Sequence, residues 1–425
     1  LDRLQIEIVN TGSELMLGRV LNTHQQWLCR QLSDAGYEVV RQVAVPDAAE
    51  AIGEAVEEAL QRADLVLTTG GLGPTSDDLT RAEISRRLGL ETHVDRGVLE
   101  VIEEFFRRRG REVLESVKVQ ALVPEGAVVL PNAHGTAPGL RIEVPSRARG
   151  GGRAAHVVLL PGPPRELRPM FAEQVLPWLL RAFPPSAERA ARVLRAAGWG
   201  ESAIEETIGP ALAGLVAEGL VLGYCARPGD VEVRLESRGE GAAGRVAAAE
   251  SVVRHRLGGA IYGAGEETME GVTVGMLRER GRTLAVAESC TGGLVAHRVT
   301  NVPGASEVFL AGWVTYSNAA KTRWLGVPAQ LLAEEGAVSA AVARAMAEGV
   351  RKESGADYGL ALTGIAGPGG GSPAKPVGTV FMALAEACGT RVEHHLNAMD
   401  RETFKWIASQ QALDMARREL IESDG

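Results

Sequence analysis

At 425 residues, the chain has length for two or three domains, and 45% hydrophobic with 23% charged residues is globular composition rather than that of a disordered or membrane-embedded protein. The formal net charge of −9 is spread over both signs without a basic tract, so nucleic acid is not the default partner. Cys29, Cys225, Cys290 and Cys388 are far apart with no metal-type spacing, no signal-like segment precedes the first strand, and no apolar run would span a bilayer; the expectation is a soluble cytoplasmic protein.

Taken in order, Leu4 to Val9 reads as a buried strand, Thr23 to Ala35 as a helix and Tyr37 to Val45 as a strand. Ala48 to Ala63 carries Ile52, Val56, Ala59 and Leu60 at helical spacing. Asp64 to Thr69 is a third strand, followed by a glycine-rich turn and a helix from Thr80 to Leu88. This alternation predicts a doubly wound parallel sheet. Strands at Ala127 to Leu130, Leu140 to Val144 and His156 to Leu160 and a helix from Arg165 to Leu180 complete the first domain, 1–182, with Arg147 to Arg153 as a solvated hairpin loop. Ala182-Phe183-Pro184-Pro185-Ser186 reads as a linker, because paired prolines cannot continue a helix. A small α/β unit, 188–259, follows: strands at Ala190 to Ala196, Leu220 to Cys225 and Val231 to Leu235, helices at Glu201 to Ala217 and Ala242 to Leu257, then a glycine-rich joint at 258–265. The last domain, 266–425, is again αβα, with a helix at 269–280, strands at Thr283 to Ala287, Ala311 to Tyr316, Tyr358 to Thr363 and Gly378 to Leu384, and a helix from Gly293 to Val299.

Three polar loops of the last domain fall at strand ends, where open α/β sheets place ligands. Ser289, in Ala287-Glu288-Ser289-Cys290-Thr291-Gly292-Gly293, joins a strand to a helix start; it either caps that helix or is a nucleophile facing its positive end. Cys290 beside it is a competing nucleophile or a small buried residue. Lys321 opens a later helix; it is a surface charge, or a desolvated base for the serine. Thr363-Gly364-Ile365-Ala366-Gly367-Pro368-Gly369-Gly370-Gly371 offers backbone N–H groups to a phosphate or an oxyanion, or is a flexible turn.

Together with Thr315-Tyr316-Ser317-Asn318, Gly336-Ala337-Val338-Ser339 and Lys375-Pro376-Val377-Gly378-Thr379, these segments resemble the C-terminal nicotinamide-nucleotide amidohydrolase domain of the CinA family. The resemblance implies hydrolysis of nicotinamide mononucleotide to nicotinic acid mononucleotide and ammonia without a cofactor. It implies Ser289 as nucleophile, Lys321 as general base and Tyr316 as a neighbour in the proton network, with Thr291, Gly292, Gly293, Thr363, Gly364, Gly367 and Arg401 around the substrate. One departure is Met399-Asp400-Arg401 where the family usually has Gly-Asp-Arg: Arg401 remains a candidate for the substrate phosphate, whereas methionine tolerates positive φ poorly.

In the first domain, Thr11-Gly12-Ser13-Glu14 follows the first strand and Thr69-Gly70-Gly71-Leu72-Gly73-Pro74-Thr75-Ser76-Asp77-Asp78 the third, so both line the crevice of a doubly wound sheet. Glycine N–H groups, Thr75, Glu14, Asp77 and Asp78 suit a phosphorylated ligand with a hard divalent cation. The competing reading is that Asp77, Asp78 and Thr80 cap the next helix, and at least one is expected to do so. With Asn132-Ala133-His134-Gly135-Thr136-Ala137-Pro138-Gly139 and Leu160-Pro161-Gly162-Pro163-Pro164-Arg165-Glu166, these loops resemble the molybdopterin-binding-like domain of the same family. That implies ADP-ribose pyrophosphatase activity with Mg, Mn or Co on Asp77 and Asp78, and a substrate site including Gly12, Ser13, Glu14, Asn22, Gly70, Gly71, Gly73, Thr75, Gly135, Thr136 and Gly162. Arg19 and His24 stand where the family more often has acidic and asparagine side chains. The middle unit is KH-like in that family; read without a Gly-x-x-Gly clamp, it is expected to be a spacer or dimerisation element rather than an RNA-binding one. The resemblance also implies a homodimer. Two other readings are a nucleotide- or pterin-binding protein without turnover in the first domain, and a competence-related interaction protein, with the acidic balance opposing direct DNA binding.

Overall fold

Residues 4–145, 154–185 and 188–422 are described by the computed structural model; the expected loop at Arg147 to Arg153 lies outside them, as does Ser186 of the expected linker. The chain forms two units, Leu1–Ala187 and Glu188–Gly425.

The first unit contains β1 (Ile6–Thr11), β2 (Val39–Val45), β3 (Leu65–Thr69), β4 (Thr92–Val94), β5 (Leu122–Pro124), β6 (Val128–Leu130), β7 (Gly139–Val144) and β8 (Ala155–Leu160). The main sheet runs β2-β1-β3-β8-β7-β6. Its first four strands are parallel, and β7 and β6 are antiparallel. β1 and β3 are buried at every position because both faces are covered, which is why they read as continuous apolar runs. Alternation sends Ile6, Ile8, Leu65 and Leu67 into one core and Val9 and Val66 into the other. The β4–β5 pair and the helix Arg96–Arg107 occupy a stretch that the sequence reading leaves unassigned, although Val98, Leu99, Ile102 and Phe106 recur at helical spacing and Val98 and Ile102 are buried. The expected closing helix is interrupted: Pro164–Met170 and Leu176–Ala182 flank a π-helical turn at Phe171–Val175. Pro177 has no N–H to continue the α ladder there, which accounts for the local change of pitch. The paired-proline segment is anchored: Tyr37 Oη donates to the Phe183 carbonyl at 2.9 Å.

The second unit begins with β9 (Arg189–Ala197), β10 (Leu220–Arg227), β11 (Asp230–Arg238) and β12 (Ile261–Ala264), an antiparallel sheet in the order β10-β11-β9-β12. The helices Glu201–Ala217 and Ala242–Leu257 pack against it through Ile204, Ile208, Val246 and Val253. Within the expected joint at 258–265, four residues form β12, paired to β9, because Ile261 and Tyr262 are apolar enough to be buried. Gly241-Ala242-Ala243-Gly244 also has the Gly-x-x-Gly spacing that the sequence reading passes over. It caps and opens the helix Ala242–Leu257, with Gly241 at φ 75°.

The rest of this unit holds β13 (Leu284–Glu288), β14 (Phe309–Val314), β15 (Tyr358–Gly364), β16 (Thr379–Ala385) and β17 (Thr390–Leu396) in the order β14-β13-β15-β16-β17. β14, β13 and β15 are parallel, and β16 and β17 antiparallel. The helix Arg401–Glu422 closes one face through Phe404, Ala408, Ala412 and Leu413. Sequence reading misses this helix and β17, and the helix's buried Ser409, Gln410 and Arg417 explain why its apolar period is blurred. Among the described residues, no helix is long and apolar enough to cross a membrane.

Gly349, inside the helix Ala340–Ser354, has its hydrogen face pressed on the Leu325 backbone, and a Cβ would fall on that carbonyl. Helix propensity alone favours alanine by about 1 kcal/mol, but an obstructing backbone carbonyl reverses the sign. Gly349→Ala should destabilise this unit by about 1–3 kcal/mol, read as a lowered unfolding midpoint; an unchanged or raised midpoint would contradict the packing described.

Candidate functional site

β13 ends in Glu288, whose buried carboxylate accepts from the backbone N–H of Gly293 (3.0 Å), Val295 (3.1 Å) and Ala296 (2.8 Å). An acidic group at the start of the helix Leu294–Thr300 satisfies donors that would otherwise be orphaned. The capping reading of Ser289 is thereby excluded, because Glu288 does the capping and the serine hydroxyl is released for another partner. Gly292 (φ 64°) and Gly293 (φ 95°) let the chain turn back within hydrogen-bond reach of Glu288.

That other partner is Lys321. Its Nζ lies 3.0 Å from Ser289 Oγ and donates to the Thr315 carbonyl at 2.8 Å. Ser317 caps the helix Asn318–Leu325 by accepting from the Ala320 N–H, which turns Lys321 inward one helical turn later. Lys321 is 1% exposed and Ser289 9% exposed. Burial penalises the ammonium and pulls the Lys321 pKa below the usual lysine value. In the neutral amine, one N–H still donates to Thr315 while the lone pair accepts the serine O–H. The Thr291 and Thr315 hydroxyls, in the same two segments, are buried with no hydrogen-bond partner among the described residues.

Cys290 points the other way, into the apolar core with Val286, Val295 and Val299. Desolvation, reinforced by the Glu288 charge, pushes its thiol up to about 12. Of its two readings, the small buried residue is the one that matches this placement.

The remaining expected residues divide into those near the pair and those that brace the loops. Thr363 Oγ1 donates to the Ala337 carbonyl at 2.6 Å, and Ser339 caps the helix Ala340–Ser354, so these two residues are architectural. Ile365 N–H donates to the Thr379 carbonyl and Gly378 N–H to Ile365, which fixes the start and end of the glycine-rich loop. Gly364 abuts Thr379 and Gly367, at φ 77°, abuts Val377, so neither has room for a side chain. Tyr316 departs from expectation: it is 61% exposed, and its Oη accepts from Arg401 Nη2 at 2.9 Å rather than joining Ser289 or Lys321. The strand ends at Val314, two residues before it, which leaves the ring at the rim. Arg401 also donates to the Gly367 carbonyl at 2.7 Å, tying loop, tyrosine and C-terminal helix together. Met399 has no positive φ, so the replaced glycine leaves no backbone strain. Asp400 caps the last helix through the Glu402 and Thr403 N–H groups. Glu288 and the Thr315 carbonyl are the features that sequence reading did not place. An acidic residue just before a glycine-led helix is the signal for the first; the second carries none.

In the first unit, the loops after β1, β3 and β8 do meet. Gly70 N–H donates to the Leu160 carbonyl at 3.0 Å, Gly162 lies against Gly70, and Thr11 Oγ1 reaches Thr69 O and Thr80 Oγ1 at 3.1 and 3.4 Å. Gly71 packs on Thr80. Several expected ligand residues are committed to local structure. Ser13 and Asp47 exchange backbone-to-side-chain bonds at 2.7 and 3.1 Å, Glu14 folds over Gly12, and Asn22 caps the helix Thr23–Asp34. Asp78 Oδ2 accepts from the N–H and hydroxyl of Thr75 and packs on Gly73. The helix Thr80–Leu88 starts at Leu79 with no side-chain cap, so the expected capping by Asp77, Asp78 or Thr80 does not occur. Among the described residues, no three His, Cys, Asp or Glu side chains gather into a metal-holding cluster. Asn132 donates to the Ala137 carbonyl and to buried Glu166, both at 2.8 Å, and Gly135 packs on that carboxylate; Thr136 lies in the same turn. His24 sits by Gly162, its pKa lowered chiefly by burial.

Comparison with known proteins agrees with this architecture. Residues 266–420 match the CinA C-terminal domain, 7–181 a probable molybdopterin binding domain, and 191–263 the damage-inducible protein CinA KH domain. A CinA-like protein of Akkermansia muciniphila is 44% identical over 424 residues, covering 99% of both chains. A CinA-like protein of Kosmotoga olearia is 40% identical over 421 residues, covering 98% of this chain and 99% of that one. The competence/damage inducible protein CihA of Agrobacterium tumefaciens is 39% identical over 36% of this chain and 93% of its own, with a TM-score of 0.34. With relatives of this identity along its full length, the chain belongs to the CinA family, with a molybdopterin-binding-like domain, a KH domain and a CinA C-terminal domain.

Proposed function

We propose that the C-terminal domain is a serine amidohydrolase acting on nicotinamide mononucleotide, and that the N-terminal domain hydrolyses ADP-ribose to AMP and ribose 5-phosphate. The observation that carries the first part is the desolvated Lys321 amine 3.0 Å from Ser289 Oγ. A serine hydroxyl needs a base, and an amine whose pKa is lowered by burial is one. Ser289 Oγ attacks the carboxamide carbon as its proton passes to Lys321 Nζ. The tetrahedral intermediate collapses, Lys321 returns the proton to the departing nitrogen, and ammonia leaves an acyl ester on Ser289. Water then attacks the ester, giving its proton to Lys321, which returns it to Ser289 Oγ as nicotinic acid mononucleotide departs. The Thr315 carbonyl holds Nζ in place throughout by accepting its N–H.

For the N-terminal domain, the supporting observation is the convergence of the Gly70, Thr80 and Gly162 turns at the sheet edge, the usual ligand position of such a sheet. The donor set fits a divalent ion carried by the substrate rather than a ready-made cage: Asp77 is exposed and Asp78 keeps Oδ1 clear of Thr75. Ions such as Mg²⁺ are commonly held by one or two carboxylates plus substrate phosphates. The bound ion would neutralise the diphosphate and acidify water. The sparse carboxylate set also favours a second reading, nucleotide binding without turnover.

Ammonia assays on nicotinamide mononucleotide test the first reading. Ser289→Ala should lower turnover by a factor of about 1,000 or more, whereas Cys290→Ala should retain it within about fivefold; the reverse pattern would make the thiol the nucleophile. Lys321→Met should lower kcat by about 10²–10⁴. Because the base must be unprotonated, wild-type kcat should rise with pH and level off below the ordinary lysine pKa of 10.5. A rate that keeps climbing through that value would remove Lys321 from the role. Asp78→Asn should depress only metal-dependent AMP release from ADP-ribose; no AMP from wild-type protein with any divalent ion would leave the binding-only reading.

A further inference from the structure

The helix Arg401–Glu422 presents Arg401 and, one turn later, Lys405. Arg401 is spoken for, with one guanidinium nitrogen on the Gly367 carbonyl and another on Tyr316 Oη. Lys405 is different. It is half-buried, and no hydrogen bond or ion pair engages its ammonium among the described residues. Its Nζ lies 3.8 Å from where a Cβ on Gly292 would stand, and apart from Gly292 and its two chain neighbours no other atom of the described residues comes within 4 Å of that point. Gly292, at φ 64°, is three residues beyond Ser289 in the turn that Glu288 holds closed. The helix is held in that place by its core residues Phe404 and Ala408 and by the Asp400 cap. A side chain on Gly292 would project at the ammonium, so the bare glycine keeps the approach clear.

Resting on the amidohydrolase reading above, we propose that Lys405 is the specificity-determining cation of the C-terminal site, taking the 5′-phosphate of the mononucleotide over the Thr291-Gly292-Gly293 turn. Arg401 is then a positioning residue that braces the Gly367 loop and Tyr316. An uncommitted ammonium beside a side-chain-free turn is suited to a compact dianion, because a lysine binds phosphate as a point charge and needs no planar fork. Its half-buried setting reduces screening by salt. The site would therefore discriminate between a nucleotide and the corresponding nucleoside, which carries the same carboxamide and no phosphate.

The test measures kcat/KM for ammonia release from nicotinamide mononucleotide and from nicotinamide riboside, together with calorimetric binding of ribose 5-phosphate, for wild-type protein, Lys405→Ala and Lys405→Arg. The preference for nucleotide over nucleoside should fall at least tenfold in Lys405→Ala, mostly through KM, and return to within a few-fold of wild type in Lys405→Arg. Ribose 5-phosphate affinity of the C-terminal site, measured in an Asp78→Asn background to weaken the N-terminal site, should fall in parallel. Unfolding midpoints of both variants identify misfolding, and Lys405→Arg keeps the charge question open to measurement if the alanine variant is unstable. Retained preference and retained binding in Lys405→Ala would overturn the proposal. If wild-type protein releases no ammonia from either compound, the amidohydrolase reading fails, while Lys405-dependent binding of ribose 5-phosphate would still uphold the anion site.

Discussion

Three backbone N–H groups converge on the buried Glu288 carboxylate, and the geometry of the C-terminal site follows from that contact. A helix start leaves donors without partners, and burying them unsatisfied would be costly. With the carboxylate supplying those partners, Ser289 need not cap the helix. Its hydroxyl faces Lys321, while the adjacent Cys290 side chain turns into the core. One capping contact thus sorts two neighbouring nucleophile candidates into a polar pocket and an apolar interior.

Lys321 is the second constraint. A buried amine is tolerable when it can be neutral and still keep its hydrogen bonds, and the Thr315 carbonyl with Ser289 Oγ supplies both partners. The same burial that would destabilise an ammonium lowers the Lys321 pKa and so raises the share of neutral amine at a given pH. Around this pair several polar side chains act as scaffolding. Thr363, Ser339 and Arg401 anchor loops through backbone carbonyls and a helix cap, and their hydrogen bonds set where the glycine-rich segment can lie.

The N-terminal domain distributes its polar groups differently. Ser13, Asn22 and Thr75 are engaged in closing turns or capping helices, and Asp78 is half committed to Thr75. Tight turns at the ends of β1, β3 and β8 form a crevice whose walls are mainly backbone, packed through Gly70, Gly71 and Gly162. Among the described residues this crevice gathers no set of three metal-holding side chains, and the proposed hydrolysis would therefore need a cation that arrives with its phosphorylated substrate.

Much of the architecture was legible in the sequence. Buried parallel strands announce themselves as apolar runs, and the helices at Thr80–Leu88, Glu201–Ala217 and Ala242–Leu257 fall where periodicity and glycine breaks put them. The polar loops at strand ends, Ser289 and Lys321 among them, were also legible, because motif composition is local. What only the tertiary structure decided is how each polar atom is employed. Sequence could not tell a capping serine from a free one, since the competing cap comes from Glu288 folding back over eight residues. It could not assign Tyr316 to Arg401, 85 positions away, or place Lys405 beside Gly292. It missed the helix Arg401–Glu422 that carries both cations, because three buried polar side chains obscure its apolar stripe. Hydrogen-bond partners are chosen by proximity in space, and proximity between distant segments is set by how the sheet and its covering helices pack.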